Sequence, residues 1–133
     1  MSDDGDPQDE IARLEAQIEA LAETVESCRK IILAAKIAIV GLGGTGSYVL
    51  DLVAKTPVRE IHLFDGDRFL QHNAFRSPGA PTVEELQRVP PKVTHFQTLY
   101  CRMRRNIVAH ECFIDSGNVD LLADMDKHRL TGP

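Results

Sequence analysis

A chain of 133 residues with 43% hydrophobic and 26% charged residues has the make-up of one soluble globular domain at most. That length is enough to bury roughly two-thirds of its unfolded surface. The formal net charge of −5 argues against a general nucleic-acid-binding surface, and no apolar run approaches the length that crosses a bilayer.

The start, Met1 to Asp6, is acidic and lacks the basic-then-apolar pattern of a signal peptide. Residues 1–7 are expected to form a disordered acidic tail, having almost no apolar surface to bury. A long amphipathic helix is expected over 8–35. Ile11, Leu14, Ile18, Leu21, Val25, Cys28 and Ile32 recur at alternating spacings of three and four, which keeps one apolar stripe on a helix of 3.6 residues per turn. The stripe suits packing on the helix's own domain, and equally a dimer seam or docking helix of coiled-coil type.

From residue 36 the pattern changes. Ile37-Ala38-Ile39-Val40 is a continuous apolar run, as in a strand buried on both faces of a parallel sheet. Helix is expected again from Thr45, with Val49, Leu52 and Val53 inward and Pro57 closing it. Val58 to Phe64 reads as the second strand and Asp67 to Pro81 as a loop. Thr82 and Glu85 have capping-box spacing for a short helix over Val83 to Arg88. Pro90-Pro91 opens another helix, on which Phe96, Leu99, Tyr100 and Met103 share a face. Ile107 to Ile114 is the third expected strand, and Asp115 or Ser116 is placed to cap a last short helix through Leu121 and Leu122. The alternation predicts an α/β fold: a Rossmann-like parallel sheet with helices on both faces over 36–126, and a polar tail at 127–133.

The chemistry concentrates between the first two strands. Gly41, Gly43 and Gly46 satisfy GxGxxG, with Gly44 as an extra glycine. Glycines allow a tight turn and a close approach of backbone to phosphate, and the N–H groups opening the next helix then meet negative charge. Asp65 follows Gly41 by 24 residues, at the end of the second strand, where a carboxylate accepts hydrogen bonds from ribose hydroxyls. No lysine follows Gly46, so the loop is not a GxxxxGK[ST] phosphate loop. An NAD- or FAD-type site, as in an oxidoreductase, and an ATP site both remain open at this point. So does a purely structural use of the glycines in strand–helix packing.

The residues after Asp65 continue as Asp65-Gly-Asp67-Arg-Phe-Leu-Gln-His-Asn73-Ala-Phe-Arg76, that is, DxDxxxxxNxxR. Together with Gly41-x-Gly-Gly-x-Gly46 upstream and Pro91-Lys92-Val93 downstream, this resembles the ThiF/MoeB-like family, the adenylating enzymes related to ubiquitin-activating enzymes. The resemblance covers about Lys36 to Leu122. It implies ATP-dependent adenylation of the C-terminal carboxylate of a ubiquitin-like or sulfur-carrier protein, in the cytoplasm and as a homodimer. It also implies roles. Gly41, Gly43, Gly44 and Gly46 would cradle the nucleotide and Asp65 would bind the ribose. Asn73 and Arg76 would face the triphosphate, with Lys92 near the α-phosphate. Asp67 either joins them or only shapes the turn. Arg76 and Lys92 are the expected catalytic pair, because a carboxylate attacking a phosphate meets accumulated negative charge that cations must stabilise.

The chain also departs from the family pattern. Members are longer and bind the magnesium of MgATP through an aspartate on a fourth strand. Asp124 and Asp126 are candidates here only by position, so the expectation is an incomplete domain with no identified metal ligand. Members that form thioesters use a cysteine further downstream. Cys28, Cys101 and Cys112 form no CxxC pair and read as reduced cytosolic thiols, with Cys101 and Cys112 expected buried and inert. Related enzymes borrow an N-terminal arginine from a partner, and Arg13 and Arg29 lack a matching motif. His62, His72, His95, His110 and His128 show no metal-ligand spacing. Arg102, Arg104 and Arg105 form a small basic cluster at a helix end. An inactive fragment or interaction module with a residual nucleotide site is therefore the competing reading.

Overall fold

A computed structural model describes residues 5–127. Most of both expected tails, and His128, lie outside the described residues. The chain divides after Ala34 into two compact units.

The first unit is one helix, α1 (Pro7–Ala34). Pro7 opens it, where a missing N–H costs nothing, and the Asp6 carboxylate accepts from the N–H of Gln8 at 3.0 Å. At 1.5 Å per residue, its 28 residues span about 42 Å. None of its residues is buried.

The second unit contains β1 (Lys36–Val40), α2 (Gly44–Ala54), β2 (Glu60–Phe64), α3 (Gln71–Ala74), α4 (Val83–Gln87), α5 (Lys92–Tyr100), β3 (Ile107–His110) and α6 (Asp120–Ala123), followed by a 3-10 turn at Asp124–Lys127. The strands are parallel in the order β1-β2-β3. Register pairs Ile39 with Leu63 and Ile61 with Ile107. Side chains alternate across a pleated strand, so Ile37, Ile39, Ile61, Leu63, Ile107 and Ala109 share one face. That face packs with Leu50 and Ala54 of α2 and Val93, Phe96 and Tyr100 of α5 to make the core.

The opposite face is polar at its centre. Glu60 and His62 are fully buried on β2. The Nε2 of His62 lies 2.9 Å from Glu60 Oε1, and its Nδ1 lies 2.9 Å from His110 Nε2. Lys36 stands 3.6 Å from Glu60 Oε2 and donates to the carbonyl of Met125 at 3.2 Å, which ties the final turn to the start of β1.

Several expectations change here. β2, not β1, is the strand buried on both faces. β1 lies at the sheet's edge, and Ala38 and Val40 on its polar-face side are exposed. The expected loop 67–81 contains α3, a single turn. β3 ends at His110 rather than Ile114, because Cys112 turns back to donate to the His110 carbonyl at 2.9 Å. Asp115 does not cap α6, which begins after Val119. Its carboxylate instead accepts from the N–H groups of Gly117 and Asn118 at 2.7 and 3.2 Å, closing a separate turn. Met103 lies beyond the end of α5 and is exposed, as is Cys101. Arg104 leaves the basic cluster to donate to the carbonyls of Thr56 and Val58.

α2 and α5 are joined by one polar contact at the margin of the core. The Tyr100 hydroxyl donates to Asp51 at 2.7 Å, and Lys55 holds the other oxygen at 2.8 Å. Lys55 first, and Tyr100 second, pull the Asp51 carboxyl below its ordinary range, while burial pushes the Tyr100 hydroxyl upward. Tyr100→Phe is expected to cost about 1 kcal/mol in urea unfolding at neutral pH. The Asp51 contribution is present above the ordinary carboxylate pKa and lost as pH falls through its lowered value. The gap between variant and parent should therefore close in strong acid.

Candidate nucleotide site

The site forms where the chain leaves β1 and β2 at their C-terminal ends, the usual location of ligand crevices in open parallel sheets. Gly41 ends β1 with its N–H donating to the Phe64 carbonyl at 2.8 Å, and turns with φ of 90°, a conformation glycine adopts without penalty. Leu42 buries its side chain, and its N–H donates to Asp65 Oδ2 at 2.7 Å. Gly43 precedes α2 as its cap position and offers no side-chain bond to the helix's first N–H groups. No acidic residue lies in that first turn. Gly46 passes so close to the turn that a Cβ would sit 1.9 Å from the Gly41 carbonyl oxygen.

Asp65 is 5% exposed and uses both oxygens: Oδ2 for Leu42 and Oδ1 for the N–H of Asp67 at 2.8 Å. Asp67 then reaches α5. Its carbonyl accepts from the Lys92 N–H at 2.9 Å, and its exposed carboxylate lies 3.7 Å from Lys92 Nζ. Lys92 is 8% exposed and occupies the first position of α5, where the helix dipole disfavours a cation. Phe69 anchors the same segment by donating to the Pro90 carbonyl at 2.7 Å. Between α4 and α5, Val89 adopts φ of 47°, a strained value for a β-branched residue.

Asn73 is buried in α3, where its side-chain oxygen accepts from the N–H of Leu70 at 2.8 Å. Its carbonyl accepts from Arg76 N–H at 3.1 Å. That fixes Arg76 against the glycine loop: a Cβ on Gly44 would lie 3.7 Å from the Arg76 carbonyl oxygen and 3.9 Å from its Cβ. The Arg76 side chain is exposed.

The nine residues singled out in the sequence thus form one linked set, joined from the glycine loop to Asp65, Asp67 and Lys92, and from Gly44 to Arg76 and Asn73. Asp124 falls elsewhere. Its turn is tied to Lys36, at the far end of β1 from the glycine loop, about a strand's length of 15 Å away. Among the described residues no three His, Cys, Asp or Glu side chains gather to hold a metal ion.

Sequence reasoning missed Leu42, whose contribution is a backbone N–H and leaves no side-chain signature. It also missed the turn α3, whose signal was Asn73 three residues after Leu70. A separate cavity of about 480 Å³ lies between residues 78–81, α4 and α5, and contains none of the nine. There His95 stacks on Phe69 at 3.8 Å, and burial holds its pKa below the usual value against the opposing pull of Glu85.

A parallel sheet with a glycine turn opening α2 and a carboxylate after β2 defines a Rossmann-like fold. The chain belongs to the ThiF family, whose model matches residues 14–120. Among solved structures it is similar to the tRNA N6-threonylcarbamoyladenosine dehydratase TcdA of E. coli in complex with AMP. The TM-score is 0.59 at 21% identity, covering 72% of this chain and 39% of that one. TcdA has also been crystallised with ATP. MccB of E. coli, crystallised with succinimide, gives a TM-score of 0.59 at 19% identity, over 70% of this chain and 28% of that one. PaaA gives 0.63 at 18% identity, over 92% and 40%. At these identities the likeness is one of fold, and the chain spans about two-fifths or less of each structure. No curated protein matches it.

Gly46→Ala tests the geometry directly. The added methyl has backbone on its far side, and the variant is expected to lose about 3 kcal/mol or more in denaturant unfolding. Asp65→Ala, which leaves two backbone N–H groups without their acceptor, is expected to cost about 2–4 kcal/mol.

Proposed function

We propose that the chain is the ATP-binding part of an adenylyltransferase that activates the C-terminal carboxylate of a ubiquitin-like or sulfur-carrier protein in the cytoplasm, working as a homodimer. The observation that carries the reading is the start of α2. Its first N–H groups have no side-chain cap and no acidic residue in their own turn, and the residue before them is glycine. An anion satisfies both the N–H groups and the helix dipole there. Family membership and the AMP- and ATP-bound TcdA crystals favour an adenine nucleotide over NAD or FAD.

In this reading Gly41, Gly43, Gly44 and Gly46 hold the phosphates, and Asp65 takes the ribose through the lone pairs that Leu42 and Asp67 leave open. Asn73 fixes the turn that presents Arg76. The carrier's carboxylate oxygen attacks the α-phosphorus. The bond from that phosphorus to the bridging oxygen breaks, pyrophosphate leaves, and an acyl-adenylate forms. Arg76 and Lys92 neutralise the charge that builds on the phosphate oxygens. The setting of Lys92 supports this role: a buried cation at a helix N-terminus, met only by the exposed Asp67 carboxylate at 3.7 Å, is favourable beside a phosphate. Asp67, already paired with Lys92, shapes the turn.

A protein-held magnesium does not fit this set. Asp67 is engaged by Lys92, Asp65 by two N–H groups, and Asp124 belongs to the other end of β1.

Calorimetry of ATP binding, with and without magnesium, tests the reading beside Arg76→Ala. Binding that weakens by about tenfold or more in the variant is expected, since a charge-assisted phosphate contact is worth about 1.5–3 kcal/mol. A folded chain that binds no ATP would mean the site needs residues outside this chain. ATP–pyrophosphate exchange dependent on a carrier protein reads the chemistry itself. Tighter binding of NAD or FAD than ATP would favour the oxidoreductase reading.

A further inference from the structure

α1 carries more information than a stripe. Numbered as heptads, Ile11, Ile18, Val25 and Ile32 fall at position a, and Leu14, Leu21 and Cys28 at position d. Every a residue is β-branched. All of these apolar positions are solvent-exposed: Ile18, Leu21 and Val25 by about two-thirds. Such a seam, exposed along a helix of 28 residues, needs a partner of the same chemistry.

The charges identify that partner. Asp9, Glu10, Glu15, Glu19, Glu23 and Glu26 crowd the first part of α1, with only Arg13 against them, while Arg29 and Lys30 lie near its end. The first half of α1 is acidic, while in its second half Arg29 and Lys30 balance Glu23 and Glu26, so a reversed copy lays those two cations beside the acidic half. Beside the seam, a parallel pair would set Glu10 of one copy against Glu15 of the other, a like-charge contact. An antiparallel pair sets Glu15 of each copy against Arg29 of the other, twice by symmetry. Arg29 has an exposed contact at 3.5 Å with Glu26 on its own helix, and pairs so exposed exchange partners at little cost. The layers also fit. Leu14 meets Ile32, Ile18 meets Cys28 and Leu21 meets Val25, so the small Cys28 faces a large residue rather than itself.

We propose that α1 pairs with α1 of a second copy of this chain as an antiparallel two-stranded coiled coil, in the register that sets Leu21 of one copy against Val25 of the other. This rests on the homodimer part of the reading above and is independent of nucleotide binding, which is measured separately on the same samples. Loss of pairing with ATP binding intact would overturn the coiled coil alone.

The test is sedimentation equilibrium of the full chain and three variants across a range of concentrations. Leu21→Lys, which places charges in the seam, is expected to raise the dimer dissociation constant at least about tenfold. Glu15→Arg is expected to raise it roughly fivefold, because two attractive contacts become repulsive. Glu15→Arg with Arg29→Glu should restore the parent value. Tighter dimers of Glu15→Arg would mean parallel pairing and overturn the proposal. Cys28 reads the orientation independently. In this register the two Cys28 residues lie about 15 Å apart along the seam, beyond the ~7 Å that a disulfide spans. Ready formation of a Cys28–Cys28 cross-link under mild oxidation would overturn it. So would a dimer indifferent to Leu21→Lys, or a parent chain that stays monomeric with its helix content intact.

Discussion

The Asp65 carboxylate joins the two loops that leave β1 and β2. Gly41, Gly43, Gly44 and Gly46 carry no side chains with which to pack, and glycine gives up more conformational freedom on folding than any other residue. One Asp65 oxygen takes the Leu42 N–H from that loop and the other takes the Asp67 N–H from the loop after β2. Bonds to a charged acceptor are short and strong, and near-complete burial keeps water from competing for them. Asp65 is itself positioned by β2, whose five residues are all buried. The order of dependence runs from the central strand to the carboxylate, then to the glycine loop and Asp67, and then to Lys92 through the Asp67 carbonyl.

Around this junction the chain accepts arrangements that are locally unfavourable. A glycine occupies the cap position of α2 where a serine or aspartate would bond the helix. A buried lysine begins α5 at the positive end of its dipole. Elsewhere the local choices agree with the fold: Thr82 and Glu85 make a full capping box on α4, and Asp6 caps α1. Two such conflicts on facing walls of one crevice mark a place shaped for something other than stability.

What the sequence made legible follows from how local each feature is. The glycine turn, the strands flanking it and Asp65 depend on backbone needs met within a few residues, and all lie where the pattern put them. The Thr82–Glu85 box is equally local. The edge exposure of Val40 and the burial of Glu60 and His62 depend on which strands become neighbours, and no run of five residues contains that information. α3 is too short to show a period, and one side-chain bond from Asn73 holds it. Asp115 had the right chemistry for a cap but used it on Gly117 and Asn118, because a carboxylate closes whichever turn comes first. Cys101 fell on an apolar spacing yet lies just past the last residue of α5, where the spacing no longer defines a face.

Val89 gives the site a mechanical character. A β-branched residue held at φ of 47° stores about 1–2 kcal/mol, in the short link over 88–91 that leads directly into Lys92. The link is clamped at both sides, by the capped α4 before it and by the Phe69 bond to Pro90 after it. Rotation at Val89 would release that strain only by giving up the bond from its N–H to the Leu86 carbonyl and the one its own carbonyl accepts from Arg68. The strain at Val89 and the buried Lys92 thus lie three residues apart in one clamped segment, so the crevice wall that carries the lysine holds stored strain rather than slack.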